Sequence, residues 1–177
     1  VDKQESSSCF LDEVKTLLQR GDKAPDFEVP VLSGGVRKQF RLFEHRGQDN
    51  LVLAFYPTNW EPVSAQQMVA YQLGREQFLA REAEVLAISV DCIMNSTAWE
   101  REIGPFNFLM GSDFWPHGEV SRRYGVLREA EPGRGASERA IFVVDKTGMI
   151  RFGKIYPLNH LPDLEETLDA LRQLTTS

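Results

Sequence analysis

Two continuous apolar runs, residues 50–56 (NLVLAFY) and 84–90 (EVLAISV), constrain the fold of this chain more than any other feature. Runs of this kind, with no polar alternation, suit strands buried on both faces, as in sheets covered by helices on either side. Pro57 stops the first run. Pro62 stands where a helix can begin, because proline is well tolerated in a first helical turn. Met68, Tyr71 and Phe78 then fall on one helical face, which predicts a crossover helix from Pro62 to the region of Ala80. Strand, helix and strand within ~40 residues make a βαβ unit with parallel strands.

The second half has a different rhythm. Residues 96–103 and 117–124 read as short helices around an extended FNFLM segment, and 129–138 (EAEPGRGASE) as a polar loop. Residues 141–144 and 149–156 flank the turn Asp145-Lys146-Thr147-Gly148, which predicts an antiparallel hairpin. Leu161, Leu164, Leu168 and Leu171 predict a closing amphipathic helix. At the start, Phe10, Val14, Leu17 and Leu18 share a helical face that Gly21 and Pro25 end, and short extended pieces between Phe27 and Phe43 turn at Gly34-Gly35. The order βαβ, connection, ββα predicts an α/β chain: a thioredoxin-like three-layer domain with a mixed central sheet. Residues 1–20 are expected to form an N-terminal segment with one short helix, and 21–177 the domain.

Charge and cysteine count exclude several classes. The 177 residues carry 26 acidic and 20 basic side chains, a net charge of −6, so no basic surface for nucleic acid is expected. No apolar run approaches the ~20 residues of a membrane span, and no signal-like start appears, which sets the expectation of a cytoplasmic protein. The two cysteines, Cys9 and Cys92, cannot make a disulfide-dense scaffold or a four-sulfur metal site. No histidine or cysteine pair has ligand-like spacing, so no metal is expected.

The segment 55–67, FYPTNWEPVSAQQ, resembles the active-site segment of the peroxiredoxins, the alkyl hydroperoxide reductase/thiol-specific antioxidant family. Their pattern is Phe-Tyr-Pro, three variable positions, Thr, two more positions, then the peroxidatic cysteine. Other stretches agree in order: GDKAPDF at 21–27, SVD at 89–91, Ala98-Trp99, SDFWPHGEVSRRYGV at 112–126, and Arg139 within ERAIFVVDKTGMIR. The resemblance spans roughly 21–156, and several ordered motifs are far more specific than one short match. It implies thiol-dependent reduction of hydrogen peroxide or alkyl hydroperoxides, a thioredoxin-type reductant as partner, and association as a homodimer.

That chemistry has defined needs. A thiol attacks peroxide oxygen as its thiolate, and a helix N-terminus with a nearby cation lowers a free thiol pKa of ~8.5. Donors that position the peroxide and stabilise the departing oxygen complete the site. The resemblance gives Arg139 the role of the cation and Pro57 that of a shield against water. Three other positions depart from the pattern. Ser64 stands at the peroxidatic position, Glu61 at the threonine position, and Gln67 where a glutamate is usual. A serine hydroxyl is a poor nucleophile without a base, and a carboxylate at 61 would raise the pKa of a neighbouring thiol.

Two histories fit Ser64: an introduced Cys→Ser change, or a native serine in a non-catalytic relative that acts as a binding or structural module. Three departures together favour the native reading. A hydrolase built on Ser64 lacks the G-x-S-x-G elbow, and none of His45, His117 and His160 lies beside it in sequence. Cys92, directly after the second buried strand, is either a relocated redox thiol or a partly buried small residue, the commoner case. Cys9 reads as an exposed bystander. Glu61 and Arg139 are either an ion pair filling the old peroxide position or two solvated charges.

Overall fold

The computed structural model describes residues 17–175. The predicted helix over 10–18 and Cys9 lie outside them, except that Leu17 and Leu18 run without regular structure and pack against the core.

β1 (Glu28–Ser33) and β2 (Val36–Arg41) form the hairpin at Gly34-Gly35, followed by a 3-10 turn at Leu42–His45. β3 (Asn50–Phe55) leads into α1 (Pro62–Leu73) and α2 (Arg75–Leu79), then β4 (Ala83–Ser89). α3 (Ile93–Ile103), β5 (Leu109–Ser112) and α4 (Glu119–Arg123) follow. The hairpin of β6 (Arg139–Val144) and β7 (Ile150–Tyr156) precedes α5 (Leu164–Thr175). The seven strands make one mixed sheet in the order β2-β1-β5-β4-β3-β6-β7. β3, β4 and β5 are parallel, whereas β6 runs antiparallel to β3 with Phe55 opposite Ala140. All six residues of β3 and of β6 are buried, the apolar ones as a sheet covered on both faces requires, and the polar Asn50 and Arg139 at the strand starts with them.

The strand periodicity of two sorts these side chains into two cores. Val52, Ala54 and Tyr56 face a layer that includes Met68 and Tyr71 of α1, Phe78 of α2, Trp99 of α3, and Leu168 and Leu171 of α5. Leu51, Leu53 and Phe55 face a thinner layer of Phe27, Phe40, Val120 and Tyr124. The result is the expected three-layer α/β arrangement.

Three helix boundaries correct the sequence reading. The crossover helix does not run unbroken to Ala80: it stops at Gly74, where a Cβ would lie 2.7 Å from Leu164 Cδ2 of α5. A side chain there would force the Leu164 side chain to shift. α3 begins at Ile93 rather than Ser96, because Cys92 is already the flanking N-cap residue. α4 begins at Glu119 rather than His117, since His117 (φ 45°) and Gly118 (φ 74°) both adopt left-handed backbone.

Strand order parts beside β3. The chain passes from β3 to β4 and β5 on one side, then returns to β6 on the other. Open α/β sheets place ligands at the carboxyl ends of strands where the order reverses. Here the carboxyl end of β3 and the first residue of β6 meet at that point.

Candidate functional site

The loop from Tyr56 to Glu61 is held by polar side chains from the next crossover. Asp91, after β4, accepts from the Thr58 hydroxyl at 3.2 Å, the Asn59 N–H at 2.8 Å and the Ser89 hydroxyl at 2.9 Å. Buried Asn59 donates to Asn95 at 2.8 Å and Ser96 at 3.1 Å, and accepts from the Tyr56 hydroxyl at 2.8 Å. Burial raises the Tyr56 pKa well above the usual phenol range, so that hydroxyl stays a donor. Trp60 then takes φ 66°, a conformation that costs a bulky residue about 1–2 kcal/mol, with its indole N–H on Asn95 at 3.1 Å.

That turn delivers Glu61 to the N-cap of α1, with Pro62 in the first helical position. Helix N-termini leave N–H groups unpaired, and short oxygen side chains usually satisfy them. Here the longer glutamate does so. Glu61 Oε1 accepts from Val63 N at 2.9 Å, and Oε2 from Ser64 N at 2.7 Å and Ser64 Oγ at 2.7 Å.

The fourth donor to this carboxylate comes from the far side of the chain. Arg139 opens β6 and is fully buried, with Nη2 2.8 Å from Glu61 Oε2. Its remaining N–H groups are also committed. Nη1 donates to Gln67 Oε1 at 2.7 Å and, more weakly, to Ser64 Oγ at 3.4 Å; Nε and Nη2 donate to the Leu158 carbonyl at 3.1 and 2.9 Å. Gln67 in turn donates to the Tyr71 hydroxyl at 2.8 Å. Ser64, Gln67 and Tyr71 stand at i, i+3 and i+7, one face of α1, and all are buried.

The ion pair is therefore real, and the alternative of two solvated charges is excluded. Burial opposes ionisation of Glu61. The hydrogen bonds from the Ser64 hydroxyl, the Val63 and Ser64 N–H groups and Arg139 outweigh it and hold the carboxyl below its ordinary range. Burial pushes the Tyr71 phenol far above its usual value, so it remains neutral beside this charged cluster.

Among the residues singled out from the sequence, Ser64, Glu61 and Arg139 converge. Pro57 is half-buried at the head of the same loop. Cys92 is a free, half-buried thiol at the N-cap of α3 whose side chain makes no capping hydrogen bond, and it stands outside the network. The sequence marks Gln67 only as a departure from the family pattern and Tyr71 only as a core residue, although their spacing from Ser64 places both on its face of α1. Among the described residues, no group of three or more His, Cys, Asp and Glu side chains could hold a metal ion. No described helix is long and apolar enough to cross a membrane.

Comparison with known proteins identifies the family and the fold. Residues 20–152 match the AhpC/TSA family. The chain is 33% identical to alkyl hydroperoxide reductase E of Mycobacterium tuberculosis over 159 residues, 90% of this chain and 99% of that protein. It is 32% identical to mouse peroxiredoxin-2 over 160 residues, covering 87% and 76% of the two chains. Among solved structures, Mycobacterium tuberculosis AhpC superposes with a TM-score of 0.80 at 25% identity, covering 91% of this chain and 95% of that one. The reduced 2-Cys peroxiredoxin of Plasmodium vivax has the same fold, with a TM-score of 0.83 at 23% identity over 91% and 83% of the chains. With matched length, ordered motifs and fold in agreement, the chain belongs to the AhpC/TSA family, the peroxiredoxins.

Proposed function

We propose that this chain, as it stands, is a non-catalytic member of a family of hydroperoxide-reducing thiol peroxidases. Ser64 takes the peroxidatic position, Glu61 the threonine position, and Arg139 and Pro57 keep their family places. In the family reaction a thiolate sulfur attacks one peroxide oxygen and the O–O bond breaks. The sulfur becomes sulfenic acid, and the second oxygen leaves as water or an alcohol after taking a proton. The serine oxygen has no counterpart to that two-electron oxidation.

The observation that carries this reading is the position of Glu61. Its carboxylate takes the first-turn N–H groups, the Ser64 hydroxyl and Arg139 together, the donors that a peroxide and a thiolate would need. The protein then serves as a binding or structural module, associating with a second copy as the family resemblance suggests, without a reductant. The test is peroxide loss in the presence of excess dithiol, with mass analysis of each cysteine-containing peptide. The reading expects no loss above buffer; multiple turnovers with sulfenic acid at Cys92 would overturn it.

The preserved Arg139 and Pro57 favour one second reading, a peroxidase in which Ser64 replaces an original cysteine. The encoded residue at position 64 separates the two.

A further inference from the structure

The chain is acidic overall, with a net charge of −6, yet one cleft outside the Ser64 network is lined by arginines. It measures about 560 Å³, within the range of small-molecule sites. Val90 and buried Leu127 give it an apolar part. Arg122 of α4 and Arg134 of the loop 129–138 line it as well. Neither of these side chains makes a hydrogen bond or ion pair among the described residues. Arg123, by contrast, is committed to Glu119 and the Asp26 carbonyl.

Two features hold the cleft in shape. Arg128, a third lining arginine, donates from Nη1 to Glu138 at 2.6 Å and from Nε to the Pro132 carbonyl at 2.8 Å. Its backbone N–H donates to the Ala136 carbonyl at 2.9 Å, and its carbonyl accepts from Gly135 N at 2.9 Å. Arg134 is thereby carried on a loop closed at its neck. His117, also on the lining, takes φ 45°, left-handed backbone that a histidine seldom adopts. Strain of this kind gathers at ligand sites. Its ring packs 4.9 Å from Trp115 and 6.0 Å from Phe114, centroid to centroid, and Phe114 lines the cleft too.

An uncommitted guanidinium presents a planar fork of donors that matches carboxylate or phosphate oxygens. One fork satisfies one carboxylate. Two free forks in one cleft call for an anion with more oxygens and more charge, which a terminal phosphate group supplies. The Phe114 and His117 rings and the aliphatic side chains suit a flat body attached to that phosphate. Glu129, on the same lining, repels a bare polyanion and accepts from hydroxyl groups.

We propose that this cleft binds a phosphate monoester carrying a planar ring, with Arg122 and Arg134 on the phosphate and Phe114 and His117 against the ring. The cleft shares no residue with the Ser64–Arg139 network, and the proposal does not rest on the function proposed above.

The experiment is titration calorimetry of the unaltered protein with adenosine monophosphate, inorganic phosphate and adenosine at matched ionic strength. The imidazole resonances of the three histidines are followed by NMR in the same series. Adenosine monophosphate is expected to bind saturably, about tenfold or more tighter than either half alone. It should move the His117 resonances and leave those of His45 and His160 in place. Arg122→Gln and Arg134→Gln should each weaken it about tenfold. Arg101→Gln, which removes an exposed arginine of α3 away from the cleft, should not. Arg122 and Arg134 are exposed as well, so these replacements leave the core intact. Equal binding of inorganic phosphate and adenosine monophosphate would reduce the cleft to a bare anion patch and overturn the proposal. Equal weakening by Arg101→Gln and Arg122→Gln, an unmoved His117, or no saturable binding would overturn it too.

Discussion

The three departures at 61, 64 and 67 are predicted to be one coupled exchange of charge. Arg139 needs one carboxylate, and Glu61 supplies it, whereas the resemblance in the sequence would put a glutamate at the position of Gln67. Changing Glu61→Thr keeps a residue able to cap α1 but leaves the buried guanidinium with only neutral acceptors, Gln67, the Leu158 carbonyl and, at 3.4 Å, the Ser64 hydroxyl. Removing one partner of a buried pair costs about 3–5 kcal/mol. Because Glu61 is 30% exposed, water replaces part of what it supplied, and we expect about 2–3 kcal/mol. Gln67→Glu alone places a second carboxylate at a buried position beside a cation already neutralised, at about 1–3 kcal/mol. The double change restores one cation to one carboxylate and should fall within about 1 kcal/mol of the unaltered protein. The interaction energy is then about 2–6 kcal/mol in favour of the double variant. Urea unfolding followed by tryptophan fluorescence reads it, since at about 2 kcal/mol per molar the Glu61→Thr midpoint moves down by about 1–1.5 M. Additive losses in the double variant would refute the reasoning.

The remaining predictions concern acid stability and a turn. Because the folded Glu61 carboxyl titrates below its ordinary value, the stability it confers is fully present above the unfolded carboxyl pKa of ~4.3. That contribution is lost as pH falls through the folded value. Glu61→Gln should therefore show a flatter loss of stability between about pH 5 and pH 3 than the unaltered protein; parallel urea midpoints across that window would contradict this. In the β6–β7 turn, Gly148 has φ 85° and a Cβ there would sit 2.6 Å from Arg46 Nε. Gly148→Ala should cost about 1–2 kcal/mol in the same unfolding assay, and an unchanged midpoint would show that the turn relaxes freely.

Much of the scaffold was legible because its signals are local. The buried runs that became β3 and β4, the hairpin at Asp145–Gly148 and the leucine spacing of α5 each decide their own conformation. The helix boundaries were less legible. The break at Gly74 rests on a single glycine inside an otherwise helical stretch, and the left-handed backbone at His117 has no strong residue signal. Cys92 holds the N-cap position of α3 and makes no side-chain cap, while Asp91 before it is turned toward Thr58 and Asn59. The candidate site divides in the same way. Ser64, Gln67 and Tyr71 follow from helical spacing, whereas Arg139 is 75 residues from Ser64 and is joined to it only by the pairing of β6 with β3. No local pattern says that Glu61 both caps α1 and neutralises a buried cation, because that requires the sheet to be assembled first.

The most direct test of the central claim, that Glu61 closes the reaction site by holding its anion position, compares two variants for peroxide consumption under rapid mixing. Ser64→Cys alone should react slowly, since the Glu61 carboxylate takes the donors and raises the pKa of the new sulfur. Glu61→Thr with Ser64→Cys and Gln67→Glu should react on the order of 100-fold faster. If Ser64→Cys alone is as fast as the triple variant, Glu61 does not close the site.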